Sequence, residues 1–379
     1  MLEAQSGLPH IPEMAPTVEA EKPALEFFVT HHANDFSEYN PERLKEVLHN
    51  LSGMGVNSQR FDIRWSKSRP NRGEVDHGYL AKSGEVAKTA QEAGLSSIVV
   101  LSSPPKWAME LYKTDKEAFF KEYRSYVSGV REALGAVGVE PLNVQIFNEL
   151  NNTVYTPKEI VGDLPQFCAI AREVFGDEVR LTETVLAGNL TDKLTATGLQ
   201  TGVMKFLSDY GEILKSSFDV ISVDYYPGLY HLPIKEARGI GKKLFKQTGY
   251  LEKVLETIST WGKEIEVGEV GFPTLKGIDR VRSIGNDRRQ RYAFDVFAMS
   301  IKPLVEKFGI KRIGFYQVFD ETPTELGVLN FGLWDKDGNP KSVVQDSRVG
   351  KDKIERNVIP QLGNIIRYLK GERDIPKSA

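Results

Sequence analysis

Two glutamates stand where the residues around them make acid–base chemistry plausible. Phe147-Asn148-Glu149-Leu150-Asn151-Asn152 and Gly268-Glu269-Val270-Gly271-Phe272-Pro273-Thr274 each follow an apolar run that ends in a carboxylate. A lone carboxylate at such a place serves as readily in an ion pair or at a helix cap. Two of them facing one pocket suit the hydrolysis of a glycosidic bond: one must be protonated to release the leaving oxygen, the other ionised to attack or to stabilise the sugar cation. Other chemistries find less support. His31-His32 with Asp35 suggests a metal site, but adjacent strand residues point to opposite faces and seldom share one ion; His32 lining a sugar pocket is the better expectation. Ser102-Ser103-Pro104-Pro105-Lys106-Trp107 contains no G-x-S-x-G nucleophile elbow. The single cysteine, Cys168, excludes an intrachain disulfide and a cysteine-cluster metal site.

Something must hold the two glutamates across one mouth. Eight short, β-branched runs recur along the chain: Leu25–Thr30, Asn57–Ile63, Ser97–Leu101, Asn143–Phe147, Val179–Thr184, Asp219–Asp224, Glu264–Gly268 and Arg312–Gln317. Their starts are between 32 (25 to 57) and 48 (264 to 312) residues apart, room for one strand, one crossover helix and two loops. The intervening segments carry helical signals. Asn40-Pro41 offers an N-cap and a first-turn proline before the stripe Leu44, Val47, Leu48 and Leu51, with Gly53 as the stop. Phe119, Phe120, Tyr123, Val127, Val130 and Leu134 repeat the pattern before Gly135, and Tyr292, Val296, Met299 and Leu304 before Gly309.

Alternating strand and helix predicts a parallel sheet, open or closed. An open sheet that binds nucleotides carries a glycine-rich phosphate loop, and Gly239-Ile240-Gly241-Lys242 is too incomplete to be one. Eight strands without a Pro/Gly/Ser-rich divider point to an α/β fold, a single (β/α)8 TIM barrel over residues 23–379 with a C-terminal helix. Residues 1–22, with Pro12 and Pro16, read as a flexible arm. Catalytic groups of such a barrel project from the C-terminal ends of its strands, where Glu149 and Glu269 fall three βα units apart.

With these elements in place, the sequence resembles clan A of the retaining glycoside hydrolases, the 4/7 superfamily. The resemblance rests on Asn148-Glu149 closing strand four and on Glu269-Val270-Gly271-Phe272-Pro273-Thr274 closing strand seven. Gly55-Val56-Asn57-Ser58-Gln59-Arg60 is similar to the clan's second strand, and Asp62-Ile63-Arg64-Trp65, with Pro70 and Gly73-Glu74-Val75-Asp76, to the loop beyond it. Phe218 to Pro227 resembles strand six, and Asn330 to Lys341 the segment after strand eight. It implies Glu149 as acid/base, Glu269 as nucleophile and Asn148 as the residue that holds the substrate 2-hydroxyl. It also implies Arg60 near the nucleophile and a tyrosine bonded to it, Tyr226 or, failing that, Tyr225. Arg60 there would favour the ionised form of Glu269, although bracing the barrel is an alternative for it. Glu149, near a second negative charge in a dry cleft, would keep its proton, and the carboxyl separation would be about 5–5.5 Å. Two positions depart from the clan: Leu150 follows the strand-four glutamate in place of proline, and strand eight offers Tyr316 or Phe319 in place of tryptophan.

Trp65, Trp107, Tyr155, Tyr226, Tyr230 and Tyr316 follow or end predicted strands, where aromatic faces stack on sugars as readily as they pack; Trp261 precedes strand seven and reads as structural. The expected activity is retaining hydrolysis of a β-linked oligo- or polysaccharide without a cofactor. Transglycosylation and a non-catalytic carbohydrate-binding barrel are the alternatives. A metal-dependent barrel would need more histidines than His31, His32 and His231 near strand ends. The expected partner is the carbohydrate. Lys and Arg total 49 against 52 Asp and Glu, so no basic excess serves a nucleic acid, and no apolar run approaches the ~20 residues of a membrane span. Met1-Leu2-Glu3-Ala4-Gln5-Ser6-Gly7 carries neither a basic nor an apolar leader region. Secreted and cytoplasmic locations, and oligomeric state, stay open.

Overall fold

Each of the eight β-branched runs forms a strand, and each strand pairs in parallel with its sequence neighbours. The computed structural model describes residues 24–35, 40–187, 202–226, 240–272, 274, 287–320, 331–335, 339–344 and 361–372. The expected arm, Tyr230 and His231 lie outside them. The strands are β1 (Glu26–His31), β2 (Ser58–Arg64), β3 (Ser96–Ser102), β4 (Asn143–Ile146), β5 (Arg180–Leu186), β6 (Val220–Tyr225), β7 (Glu264–Val270) and β8 (Arg312–Tyr316). β8 pairs with β1 and closes the expected barrel.

Helices α1 (Pro41–Gly53), α2 (Trp65–Ser68), α3 (His77–Glu92), α4 (Lys106–Thr114), α5 (Lys116–Gly135), α6 (Leu164–Phe175), α7 (Val203–Ser217), α8 (Ile240–Ser259) and α9 (Asp287–Phe308) alternate with the strands, and α10 (Gln361–Leu369) packs on α9. At the start of α1 the Asn40 side chain accepts from the Arg43 N–H, and Leu44, Val47, Leu48 and Leu51 are buried as their spacing predicts. On α9 the buried face is turned from the expected one. Phe294, Phe297, Ala298 and Ile301 join Val296 and Leu304 in the core, while Tyr292 and Met299 are 46% and 39% exposed. Two apolar residues lie at almost every turn there, so the periodicity left the choice of face ambiguous.

The two faces of the strands differ in chemistry. Phe27, Val29, Phe61, Ile63, Val99, Leu101, Val144 and Ile146 belong to the core shared with the helices. The interior carries Arg60, Gln145, Thr184, Ser222, Asp224, Glu266 and Arg312, all buried. Alternation is broken once where it matters. Thr184 pairs with Ser222, Ser222 with Glu266 and Glu266 with Arg312, which sets the inward face of β7 at Glu266. Strict alternation would then turn Glu269 outward. A register irregularity between Val267 and Val270 brings Glu269 level with Asp224 on β6 and into the barrel. β7 thus runs two residues beyond its expected end at Gly268. A Cβ at Gly268 would collide with Ser222 Oγ and Asp224 Oδ1, so glycine is what the close approach requires.

Candidate active site

β4 ends one residue earlier than expected, at Ile146, because the chain leaves extended geometry there. Phe147 and Glu149 have φ of 62° and 45°, and Ser103 after β3 has 55°; these are the non-glycine residues with positive φ among those described, and all lie at the C-terminal mouth. Such backbone costs about 1–3 kcal/mol per residue and persists where its surroundings impose it. Here β5 imposes it. The Glu149 N–H donates to Thr184 Oγ1 at 2.8 Å and the Leu150 N–H to the Thr184 carbonyl at 2.8 Å. Thr156 Oγ1 donates to the Asn148 carbonyl at 2.8 Å. The result turns Asn148 and Glu149 toward the barrel axis.

Arg60 on β2 organises the site. Its Nε donates to Gln145 Oε1 at 2.8 Å, its Nη2 to Asn148 Oδ1 at 2.7 Å, and its Nη1 pairs with Glu269 Oε1. One rigid guanidinium fork therefore fixes groups from β4 and β7 together. Asn148 Oδ1 also accepts from Thr184 Oγ1 at 3.1 Å and Gln145 Nε2 at 3.2 Å. With three donors on its oxygen, the Asn148 amide is oriented, and its Nδ2 is left to donate to a bound molecule. The other Glu269 oxygen, Oε2, accepts from the Tyr226 hydroxyl. Tyr225, one residue earlier, points the other way into the shared core, so of the two tyrosines it is Tyr226 that reaches the carboxylate.

Glu149 has a different environment. It is buried, and its Oε2 accepts from Asn152 Nδ2 at 2.5 Å. Burial, and then the charge of Glu269, push its carboxyl up to about 8 against the weaker pull of Asn152 and Arg60. One carboxyl oxygen from each of Glu149, Asp224 and Glu269 lies within 4.8 Å of the other two. The positive partner of this cluster is Arg60 itself.

The structure separates the remaining candidates. His32 lines the mouth: its Nδ1 lies 3.0 Å from Asp62 Oδ2 and its ring meets Tyr316 edge-on at 6.1 Å. Tyr316 in turn packs edge-on against Tyr226 and Phe331 beside Leu186, forming an apolar wall next to Glu269. His31 points elsewhere, bonded through Nε2 to Gln59 Oε1 at 2.7 Å, and burial lowers its pKa to about 4. Asp35 pairs with Arg64 and Lys67. His31, His32 and Asp35 thus take separate partners and do not converge.

Trp65 overturns its expected stacking role. It is fully buried, stacked on Tyr126 at 5.4 Å and enclosed by Phe119, Tyr123 and Trp107. The chain turns into α2 at Trp65, which swings the indole behind β2 into the helix layer, where no sugar can reach it. Trp107 flanks the same pile, with its indole N–H donating to the Arg69 carbonyl at 3.1 Å. Tyr155 stands on the loop after β4, 47% exposed. Phe319 lies under the Arg43 guanidinium of α1, and Trp261 packs against Gly211 of α7. Sequence reasoning missed Asp224, Gln145, Thr184 and Asn152. For Asp224 a signal existed, the one acidic residue inside the mostly apolar run of β6.

No family model and no curated protein matches the sequence. Solved structures do. An exo-β-1,4-mannosidase from Opitutaceae bacterium strain TAV5 is 15% identical with a TM-score of 0.59, over 92% of this chain and 59% of that one. This chain therefore spans just under three-fifths of that enzyme's length. A GH5_18 protein from Streptomyces cattleya, in complex with GlcNAc, is 12% identical with a TM-score of 0.62, over 94% of this chain and 83% of that one. A family 39 glycoside hydrolase from Bacteroides cellulosilyticus WH2 is 14% identical with a TM-score of 0.53, over 92% and 64%. At such identities the likeness establishes the fold, a closed eight-stranded (β/α)8 TIM barrel.

Proposed function

We propose that the protein is a retaining glycoside hydrolase that cleaves a β-linked oligo- or polysaccharide by double displacement. The observation that carries this reading is the pair Glu149 and Glu269, with one oxygen of each within 4.8 Å of the other and the two carboxyls in opposite environments. A separation of this order belongs with direct attack, since inverting enzymes need roughly 6.5–9.5 Å to admit a water. Glu149, buried and pushed up to about 8, holds a proton at neutral pH. It gives that proton to the glycosidic oxygen as the C1–O bond breaks. Glu269, held by Arg60 and Tyr226, forms the bond to C1. Glu149, now ionised, takes a proton from water, and the resulting hydroxide equivalent displaces Glu269 from C1. In this reading Asn148 Nδ2 donates to the sugar 2-oxygen, a contact that strengthens in the transition state. Tyr316 and His32 supply the wall of the same pocket.

The neighbours set the order of substrates to try. Two GH5_18 structures, from Bifidobacterium longum and Streptomyces cattleya, hold Manβ1-4GlcNAc, so aryl β-mannosides come first, then β-glucosides and the polysaccharides. On the best of these, Glu269→Ala is expected to lose at least about 10⁴-fold in kcat. Azide, filling the vacated space, is expected to restore turnover and give a glycosyl azide of inverted configuration. Near-wild-type turnover by Glu269→Ala on an activated substrate would remove the assignment.

A further inference from the structure

Asp224 is the one carboxyl of the cluster that the mechanism leaves without a task. It lies on β6 in register with Glu269, it is 0% exposed, and among the described residues neither of its oxygens has a hydrogen-bond partner. The chain makes room for it, because any side chain at Gly268 would meet Asp224 Oδ1. The groups acting on it come from four directions: Glu269 on β7, Arg60 on β2, Glu149 beyond β4 and Glu183 on β5. Tyr226 follows just beyond the end of β6. Only Arg60 among these is a cation, and Arg60 is already paired with Glu269.

One guanidinium can balance one carboxylate. A second buried negative charge within 4.8 Å of the first would be uncompensated, and such charges neutralise by taking up a proton. Burial and the charge of Glu269 accordingly raise the Asp224 carboxyl well above the usual range. We propose that Asp224 is a positioning residue for Glu269: a third carboxyl that stays a neutral acid and packs against the nucleophile, while Arg60 and Tyr226 keep the single negative charge of the cluster on Glu269. The proposal rests on the double-displacement reading above. The charge count then stays constant through the cycle. In the first step the Glu149 proton leaves with the departing alcohol and Glu269 becomes an ester, so the one negative charge passes to Glu149. In the second step water returns a proton to Glu149 and Glu269 is freed as the carboxylate. Arg60 has one negative neighbour at every stage only if Asp224 keeps its proton.

Infrared difference spectra of wild type against Asp224→Asn test this on the resting enzyme, with no substrate present. At neutral pH the wild type is expected to show a protonated-carboxyl C=O stretch, shifted in D₂O, that the variant lacks; its absence overturns the proposal while leaving the glycosidase reading standing. Kinetics test the positioning role. Asp224→Asn keeps a neutral side chain of the same outline and is expected to hold kcat within about tenfold of wild type, whereas Asp224→Ala is expected to lower kcat about 100-fold with KM within about threefold. An alanine variant that loses no more than the asparagine variant would show that Asp224 positions nothing. The alkaline limb of the kcat/KM profile, set by Glu149, is expected to stay in place in Asp224→Asn. A limb moved down by about one pH unit or more would mean that a negative charge had been removed from beside Glu149, and would likewise overturn the proposal.

Discussion

Two regions grow from the same strand, five residues apart, and obey opposite rules. Arg60 on β2 faces the barrel axis, among groups paired by charge and hydrogen bond: Glu269, Asn148 and Gln145. Trp65 at the end of β2 faces the helix layer, in a pile of rings built from Tyr126, Tyr123, Phe119 and Trp107. In the first region each buried polar group demands a particular partner, so moving one disturbs the others. In the second the energy is non-directional contact area. The contrast teaches which residue types speak for themselves in a strand-rich sequence. A buried arginine or glutamate has few satisfactory places, whereas a tryptophan is content on either face.

The two regions should fail differently when cut, and the inner one offers the sharpest break. Glu149→Gln is expected to lower kcat by about 10²–10⁴-fold on glycans and other poor leaving groups, and to spare the first step on activated aryl glycosides. The same variant has a stability signature. Because the folded Glu149 carboxyl sits at about 8, above its unfolded value, its contribution to stability is intact below the ordinary carboxyl range. That contribution is lost as pH rises toward 8. Glutamine has no such slope. Melting curves should therefore show Glu149→Gln close to wild type near pH 4 and more stable by roughly 2–4 kcal/mol near pH 8. An equal offset at both pH values would contradict the raised carboxyl.

Trp65→Ala probes the outer region. Truncating a fully buried tryptophan is expected to destabilise the fold by about 3–5 kcal/mol in denaturant titration, with kcat/KM per folded molecule changed little. A selective loss of substrate affinity in a stably folded variant would return Trp65 to the sugar site. The smallest effect belongs to Tyr226→Phe. It removes one hydrogen bond to Glu269 and keeps the ring against Tyr316 and Phe331. A loss of about 10–30-fold in kcat/KM with an unaltered melting temperature is expected. Unchanged kinetics would deny the hydroxyl any part in the reaction.

What the sequence revealed follows the same division. The barrel was legible because its eight apolar runs recur at a spacing only a strand–helix repeat explains. Glu149 and Glu269 stood out as a pair of carboxylates closing two apolar runs, and Asn148, Arg60 and Tyr226 through the resemblance of their motifs; the structure brings all five together. The irregularity in β7 that turns Glu269 inward was not legible, since a backbone shift at Gly268 has no side-chain pattern of its own. Nor was the fate of Trp65, because the turn into α2 decides it rather than the residue type. The face of α9 was misjudged at Tyr292 and Met299 for a related reason: apolar residues on several sides of a helix do not say which side is covered.

The central claim is that Glu269, and no water, makes the first attack on the anomeric carbon. The most direct test is the anomeric configuration of the product at the moment of its release, followed by proton NMR on a β-glycoside before mutarotation. The account predicts that the β-anomer forms first and the α-anomer only later, at the rate of spontaneous mutarotation. If the α-anomer forms first, water reaches the carbon directly, and the double-displacement mechanism is wrong.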